Sequence, residues 1–486
     1  MTSEELLEKL NEIRIQKCET RTLELKAAEK ECPKRLYDTL SSFSNQDDGG
    51  TIIFGVDEDD NYNECGVYDP QEIQKRINEQ CLQMEPVIRP LLTVAEKDGK
   101  AFVSAEIPGI DVSDRPCYYQ GKGRLKGSYV RVGDSDEPMT EYEVYSCEAF
   151  RKKYQDDIRP VPRASFEMLD RSLLDEYIDR LKAEKRNISV LTDEEIYELM
   201  SITRKGEVTL SSVMLFCRYP QAFFPQLCIT AVVLPGIEYG ETGESGERFI
   251  DNRRIEGNIP EMLDQAIAFT RKNMKAKTIV NPDTGKREDR TEYPVAAIRE
   301  AVLNALVHRD YSIYTEGMPI QIRMYPDRIE IQNPGGIYGR LQIDQLGKMQ
   351  PDTRNPVLVT ALEIMKITEN RYSGIPTIRR CMKEHGLKEP VFSDERGSFT
   401  VTLYNDVHTE LEKTAFDCDL SRAEKDLLMF LDIPRSRQEI AEHLKIGTVP
   451  YAMSAYVNPM IKKGLIKMTI PERPQSQKQR FVAVKN

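Results

Sequence analysis

Apolar and polar side chains follow a helical period between residues 293 and 311. At about 100° per residue, one side of this stretch is apolar; its members are Val295, Ile298, Val302, Ala305 and Leu306. The opposite side carries Glu300, Asn304 and His308, spaced so that they form one polar stripe. Such a stripe either faces solvent or lines a ligand site. For His308 we favour packing at the helix end over a place at the edge of a site.

The rest of the pattern alternates helices with strands and predicts an α+β protein of several domains. A hairpin is predicted from the strand-like runs 319–325 and 328–332. Residues 159–170 look like a linker with exposed arginines, and residues 277–292 look like an exposed loop, because both are rich in turn residues. The predicted units are a domain at 1–152, linker and scaffold at 153–290, a core domain at 291–408 and a C-terminal domain at 415–486.

Composition restricts the class of protein further. A chain of 486 residues is expected to form roughly three domains. It has 68 Lys+Arg and 80 Asp+Glu, a net charge of −12, so any nucleic-acid surface must be local. It contains no run of about 18 apolar residues, and its acidic N-terminus is not a signal peptide. With ten scattered cysteines and no zinc-type spacing, we expect a cytoplasmic protein with reduced thiols and no membrane partner.

Three separated motifs lie in the N-terminal region: ETRTLELK at 19–26, SFSNQDDGGTIIFGVD at 42–57 and YVRVG at 129–133. In this order they resemble the Schlafen AlbA-type domain. The resemblance implies nucleic-acid binding, and some members use three carboxylates as a metal-dependent ribonuclease site. By position these would be Glu19, Glu24 and Asp57. Such a trio could hold a divalent cation that activates water beside a phosphate.

The spacing of two of these carboxylates limits that interpretation. Glu19 and Glu24 are an odd number of residues apart, so they cannot share one face of a regular strand. They can converge only if Glu19 precedes the strand. The alternative is that Glu24 and Lys26 form a solvated, ion-paired strand face.

The predicted hairpin ends in Asn333-Pro334-Gly335-Gly336, and a second glycine turn, Ser373-Gly374, opens a later helix. With the helix at 293–311, these turns resemble the GHKL ATPase fold, in the divergent form that follows Schlafen AlbA-type domains. Bacterial proteins of this kind are labelled RecG-related helicases or divergent AAA proteins. The expected fold is therefore a Schlafen AlbA-like α+β domain, a GHKL-like α/β sandwich and a C-terminal winged helix-turn-helix.

The GHKL resemblance implies ATP and Mg²⁺ as cofactors. Glu300 would be the water-activating carboxylate and Asn304 the magnesium ligand, while nucleotide contacts come from Asn333, Gly335, Gly336, Ser373 and Gly374. Two departures point to weak or absent hydrolysis. The aspartate expected in the first glycine box is replaced near Gln332 or Asn333, and Tyr372 stands where a glycine would help the second turn approach phosphate. The alternative is a GHKL-shaped module kept for structure or for contact with a partner.

The last part of the chain predicts three helices followed by two strands, the order of a winged helix. Between residues 459 and 486 the sequence has seven Lys or Arg against one Glu, which suits contact with phosphates. The candidate nucleic-acid contacts are Ser454, Tyr456, Asn458, Lys462, Lys463, Lys478 and Arg480. Winged helices also mediate dimerisation, which is the alternative here.

Together these features predict a DNA-binding transcriptional regulator with a nucleotide-binding core. RNA is a second candidate partner, and a homo-oligomer is the expected assembly. The alternative function is a metal-dependent nuclease, either RNase or DNase, that uses the N-terminal carboxylates. A P-loop motor is excluded, because the sequence contains no G-x-x-x-x-G-K-[ST] motif.

Overall fold

The computed structural model describes residues 1–243, 245–280, 287–368, 373–395, 397–405, 422–444, 446, 448–462, 465–469, 476 and 479–484. Helices and strands are mixed throughout, so the predicted α+β class is confirmed. In this part of the chain, no helix combines the length and apolar character that a bilayer span requires.

The N-terminal region is built around a mixed four-stranded sheet. Its elements are α1 (Ser3–Gln16), β1 (Leu23–Lys26), α2 (Tyr37–Ser44), β2 (Gly50–Phe54), β3 (Val56–Asp57), β4 (Asn63–Glu64), α3 (Pro70–Cys81), β5 (Met84–Glu85), β6 (Leu91–Lys97), β7 (Lys100–Ile107), β8 (Tyr118–Tyr119), α4 (Gly123–Gly127), β9 (Tyr129–Val132), β10 (Ser135–Pro138) and α5 (Glu141–Lys152). The sheet order is β1-β2-β7-β6, with β1 parallel to β2 and the other pairs antiparallel.

Strand β2 separates two small cores. Ile52 and Phe54 belong to the apolar cluster that includes α2 and α3, whereas Ile53 belongs to the cluster that includes α1. This follows from the alternation of side chains along a strand. At the start of β2, Gly49 has φ of +63° and a Cβ there would lie 2.2 Å from the Ile107 carbonyl oxygen, so the Gly49-Gly50 turn requires glycine.

The middle and core regions share one six-stranded sheet. Their elements are α6 (Arg171–Glu184), α7 (Asp193–Leu199), β11 (Thr203–Arg204), β12 (Glu207–Val208), α8 (Leu210–Phe216), β13 (Ile229–Val233), β14 (Asp251–Ile255), α9 (Ile259–Asn273), β15 (Ala276–Val280), β16 (Arg287–Thr291), α10 (Val295–His308), β17 (Ile320–Met324), β18 (Arg328–Pro334), α11 (Pro356–Ile364), α12 (Gly374–Glu384), β19 (Val391–Glu395) and β20 (Ser398–Tyr404). The strand order is β14-β13-β17-β18-β20-β19.

This sheet crosses the domain boundary predicted at residue 290. Strand β13 pairs in parallel with β17, and one apolar core runs from Val161 to Leu403. The scaffold upstream of residue 290 thus supplies two strands, β13 and β14, to the core sheet. The domain boundary itself stays a prediction. The expectation of a loop at 277–292 was wrong for the described residues of this stretch, because β15 and β16 pair there in antiparallel orientation. Polar strands of this kind lack the apolar alternation that would reveal them.

The segment expected to be a linker is anchored to the core. Asp157 is buried, and its Oδ2 accepts hydrogen bonds from the backbone N–H groups of Val357 at 2.9 Å and Leu358 at 3.1 Å, at the start of α11. Arg159 is half-buried and forms an ion pair with Glu316, so the expectation that both linker arginines are exposed was wrong for this one. The polypeptide leaving α5 is thus fixed to the core domain.

We predict that Asp157→Ala lowers the free energy of unfolding by about 1–2 kcal/mol, because two helix N–H groups lose their acceptor. Asp157→Asn keeps an acceptor and should be tolerated. Burial raises the pKa of Asp157 to about 6, so the folded protein holds this proton more tightly than the unfolded chain does. The stability of wild type relative to Asp157→Asn should therefore rise as pH falls from 6 to 4. Urea denaturation at pH 4, 5 and 7 measures this, and a pH-independent difference contradicts it.

The C-terminal region contains the elements α13 (Arg422–Phe430), α14 (Arg437–His443), α15 (Val449–Ala452), a π-helical turn (Met453–Val457), α16 (Asn458–Lys462), β21 (Ile466–Met468) and β22 (Phe481–Ala483). Ser436 caps α14 in a capping box with Glu439. The strands β21 and β22 form an antiparallel pair. The order of elements agrees with the prediction, whereas the winged-helix assignment itself stays a prediction.

Candidate functional site

A cavity lies between α10, the first glycine turn after β18, and the start of α12. Its wall contains every core residue that the sequence predicted to contact nucleotide: Glu300, Asn304, Asn333, Gly335, Gly336, Ser373 and Gly374. The polar stripe of α10 therefore faces a cavity, and the apolar side of the same helix enters the core. The fold brings together residues that are up to 74 positions apart in the sequence (374 − 300).

One end of the cavity is formed by Asn304 and the second glycine turn. A Cβ atom on Gly374 would lie 2.9 Å from Asn304 Nδ2 and 3.1 Å from Asn304 Oδ1, so a larger residue would displace the amide. Gly374 is also the first residue of α12, whose N-terminal N–H groups lie at this end. An amide oxygen beside a helix N-terminus suits a magnesium ion carried by phosphates.

Glu300 lies one helical turn before Asn304 on the same wall and is half-buried. Its Oε1 is 3.3 Å from Nη1 of Arg299, and Arg299 also donates to the Ile367 carbonyl at 2.7 Å. The role of Glu300 in water activation stays a prediction.

The first glycine turn forms another part of the wall. Asn333 is 4% exposed, and its Nδ2 makes only long contacts of 3.4 Å to the Pro334 and Gly335 carbonyls. Gln332 instead bonds with Arg323 on the sheet surface. Of the two positions considered for the missing aspartate, Asn333 is therefore the one at the cavity. Its amide both donates and accepts, whereas an aspartate would only accept.

His308 also lines the cavity, so the expectation that it packs at the helix end was wrong. Its side chain is exposed by surface area, and its ring faces protein groups of the cavity wall. This environment, and the nearby Arg354 guanidinium, lower the pKa of His308 to about 4. His308 is therefore neutral at pH 7, with one ring nitrogen able to donate and the other able to accept.

Arg354 is a cavity residue that the sequence analysis missed. It is 6% exposed, its Nη1 lies 3.2 Å from Asp310 Oδ2, and its Nη2 donates to the Gly336 carbonyl at 3.4 Å. A Cβ on Gly335 would lie 2.3 Å from the same Nη1. A single arginine before Asn355-Pro356 forms no motif, so only the fold reveals its position. Tyr372, at the second glycine turn, lies outside the described residues.

The N-terminal carboxylates are arranged around Arg131. The buried guanidinium contacts Glu24 at 2.8 Å, Asp136 at 2.9 Å and Glu19 at 3.9 Å. Glu19 precedes β1, as convergence with Glu24 required, and burial raises its pKa to about 7. Within the described ranges, no group of three potential ligands is placed to hold a metal ion, and Asp57 does not join the other two.

Glu24 also pairs with Lys26, as the alternative interpretation expected. The expectation of a solvated strand face was wrong for Glu24, because its side chain is buried and only 7% of the residue is exposed. The two glutamates thus form a buried ion-pair network rather than an open metal site.

Of the C-terminal residues predicted to contact nucleic acid, some are exposed and one packs against the apolar cluster. Ser454, Asn458, Lys462 and Arg480 are exposed, and Arg480 lies 3.2 Å from Glu439. Tyr456 packs against the apolar cluster of this region instead of facing solvent fully. Lys463 and Lys478 lie outside the described residues. The exposed members stay candidates for contact with nucleic acid.

Three stretches of the chain match known families. Residues 19–140 match the family described as "Schlafen, AlbA_2", and residues 317–403 match "Putative ATP-dependent DNA helicase recG C-terminal", an ATPase-like domain. The predicted resemblance is confirmed. Residues 425–482 match the C-terminal domain of Fic-like proteins, "Filamentation induced by cAMP protein Fic-like", which the sequence analysis did not anticipate. Helix α10, with Glu300 and Asn304, lies upstream of the matched ATPase range.

Solved structures give more distant similarities. A Corynebacterium diphtheriae protein is 17% identical, with 93% of this chain and 92% of that chain covered and a TM-score of 0.40. The N-terminal domain of a RecG-related protein from Nitrosomonas europaea is 28% identical, with 29% and 94% covered and a TM-score of 0.23. A Fic family protein from Desulfovibrio desulfuricans is 11% identical, with 68% and 87% covered and a TM-score of 0.14. No curated protein matches the chain.

Proposed function

We propose that this protein binds nucleic acid and that its core domain binds ATP with Mg²⁺. The observation that carries the nucleotide proposal is the convergence of Asn304 with the second glycine turn, where the amide lies within about 3 Å of the Cβ position of residue 374. The match of residues 317–403 to an ATPase-type domain supports it. Together they favour a nucleotide site over a module kept for structure alone.

The residues present suit the bound metal and phosphates. The Asn304 amide oxygen is a hard ligand of the kind Mg²⁺ prefers, and the N–H groups at the start of α12 are suited to phosphate. The ion, when bound, would neutralise phosphate charge. Asn333 and neutral His308, on the remaining wall, can hydrogen-bond the edge of a base. Hydrolysis is proposed to be weak or absent.

Isothermal titration of the whole chain with ATP and Mg²⁺ tests this proposal directly. We expect saturable binding with one nucleotide per chain and weaker binding when EDTA removes the metal. An absence of heat at millimolar ATP, over a range of temperatures, contradicts the proposal.

The nucleic-acid part of the proposal rests on the Schlafen AlbA_2 match and on the basic C-terminal sequence. We infer a DNA-binding regulator rather than a motor, because the sequence has no P-loop. The nuclease alternative gains no support from the arrangement of Glu19 and Glu24, whose carboxylates are paired with Arg131.

We predict that the double variant Lys462→Ala/Arg480→Ala weakens DNA binding several-fold and reduces the salt dependence of the binding constant. Each lost phosphate contact should reduce the slope of log K against log salt by about 0.9. Gel shifts with double-stranded DNA and with RNA at several salt concentrations measure both effects. The matched control is Lys185→Ala/Arg186→Ala, which removes two exposed charges from the middle region. Equal binding by the two double variants contradicts a C-terminal DNA surface.

A further inference from the structure

The wall of the cavity includes a segment that is attached to the N-terminal domain. We call residues 337–353, between the first glycine turn and Arg354, the covering segment. Ile337 and Leu341 line the cavity, whereas the adjacent residues Arg340 and Gln342 reach the N-terminal domain. The same short segment therefore touches both the ligand space and a different domain.

The first set of contacts consists of polar bonds to two exposed carboxylates. Arg340 contacts Asp111 through Nε and Nη2, each at 3.4 Å, and Gln342 Nε2 donates to Asp47 Oδ2 at 2.9 Å. Asp47 belongs to the 42–57 motif of the N-terminal domain.

Aromatic packing adds to these polar bonds. Phe150 of α5 lies edge-on against Tyr338, with ring centroids 5.3 Å apart, and the Arg340 guanidinium lies over the Phe150 ring at 5.5 Å. The covering segment is thus held by hydrogen bonds, charge and packing from one neighbouring domain.

A second connection passes through a buried ion pair in the cavity wall. Tyr142 of α5 donates a hydrogen bond to Asp310 Oδ2 at 2.9 Å, the oxygen that is 3.2 Å from Arg354 Nη1. The Tyr142 ring also packs on the turn between β19 and β20, where a Cβ on Gly397 would lie 2.7 Å away. The N-terminal domain therefore contacts, through Tyr142 and Asp310, the arginine that bonds the Gly336 carbonyl.

We propose that the N-terminal domain sets the nucleotide affinity of the core cavity, with Tyr142, Asp47 and Asp111 acting as positioning residues. This inference rests on the proposed nucleotide site. These residues do not touch the ligand. They hold the covering segment and Arg354 in the conformation that closes the cavity. Nucleotide binding therefore does not bear the entropy cost of ordering these residues.

The proposal has a reciprocal consequence. If the docked N-terminal domain favours nucleotide binding, then bound nucleotide must favour the docked arrangement by the same factor. Nucleic acid that binds the N-terminal domain preferentially in one arrangement would then change nucleotide affinity. The two proposed binding functions would be linked through this contact.

The test measures association and dissociation of a ribose-labelled fluorescent ATP with Mg²⁺ by stopped flow on the whole chain. Two double variants weaken the same polar contacts from opposite sides: Asp47→Asn/Asp111→Asn removes the negative charges, and Arg340→Ala/Gln342→Ala removes the donors. Tyr142→Phe removes one hydroxyl from the second connection. We expect Tyr142→Phe to raise the dissociation rate about tenfold, because it loses a buried hydrogen bond to a charged group. Each double variant should raise the dissociation rate about fourfold, because its contacts are exposed. The association rate should change little.

Matched controls remove similar groups that do not reach the cavity wall. They are Asp48→Asn/Asp114→Asn in the N-terminal domain, Lys348→Ala in the covering segment, and Tyr219→Phe, whose hydroxyl donates to Glu256. Their dissociation rates should stay within twofold of wild type. Hydrogen exchange adds a structural readout: ATP should protect α5 in wild type but not in the Asp47→Asn/Asp111→Asn variant.

The outcomes separate the two proposals. If wild type binds nucleotide while the contact variants and the controls dissociate at the same rate, the positioning role is overturned and the nucleotide site stands. If wild type binds no nucleotide, both are overturned. Because Tyr142→Phe preserves ring packing, it tests the connection even if a double variant folds poorly.

Discussion

Asn304→Ala should weaken Mg²⁺-dependent ATP binding by about 100-fold, or ~2.7 kcal/mol. The variant removes the amide oxygen that we assign to the metal, and this oxygen is the predicted ligand on α10 nearest to the second glycine turn. The neighbouring helix residues are small and apolar, so the backbone of α10 should persist. Titration calorimetry in Mg²⁺ and in EDTA measures the effect.

The controls separate loss of the metal ligand from loss of the fold. Asn304→Asp keeps an oxygen at the same position and should retain binding that depends on Mg²⁺. In EDTA, wild type and Asn304→Ala should bind ATP equally weakly. If Asn304→Ala retains wild-type affinity in Mg²⁺, the cavity either takes a different ligand or binds ATP without this contact.

The periodicity of α10 made this end of the site predictable. Glu300, Asn304 and His308 recur at helical spacing, and the glycine turns are visible in the sequence, so their convergence could be expected from the resemblance. The sequence could not show which residue takes the place of the missing aspartate of the first glycine box. Gln332 and Asn333 are adjacent, and they are distinguished by the face of β18 that each occupies. Strand register, which depends on pairing with β20, decides that question.

Contacts between distant residues account for most of what the sequence did not predict. Arg131 lies more than 100 residues after Glu24, and no local pattern indicates that the two form a buried ion pair. Arg340 and Asp111 are 229 positions apart. Local periodicity records which face of an element is buried, but not which partner covers it. The sequence could not decide whether Glu19 and Glu24 hold a metal ion, because it does not show that Arg131 is their partner.

Arg131→Met should destabilise the N-terminal domain by about 3 kcal/mol, because it leaves Asp136 without its cation and Glu24 with Lys26 alone. The side chain of Arg131 is 1% exposed, and those of Glu24 and Asp136 are 9% and 13% exposed. Methionine fills much of the same volume, so the loss should come mainly from the unpaired charges rather than from a cavity. Urea denaturation at pH 7, followed by a probe in the N-terminal domain, measures the change.

Two comparisons show whether charge is the cause. Arg124→Met breaks the ion pair between Arg124, whose side chain is 30% exposed, and Glu148. An ion pair with that exposure should contribute at most about 1 kcal/mol to the free energy of unfolding. Adding Glu24→Gln to Arg131→Met removes one stranded charge and should recover part of the lost stability. If Arg131→Met is no worse than Arg124→Met, the carboxylates are solvated or protonated without Arg131. The cluster would then be open enough for a cation, and the nuclease alternative would regain a physical basis.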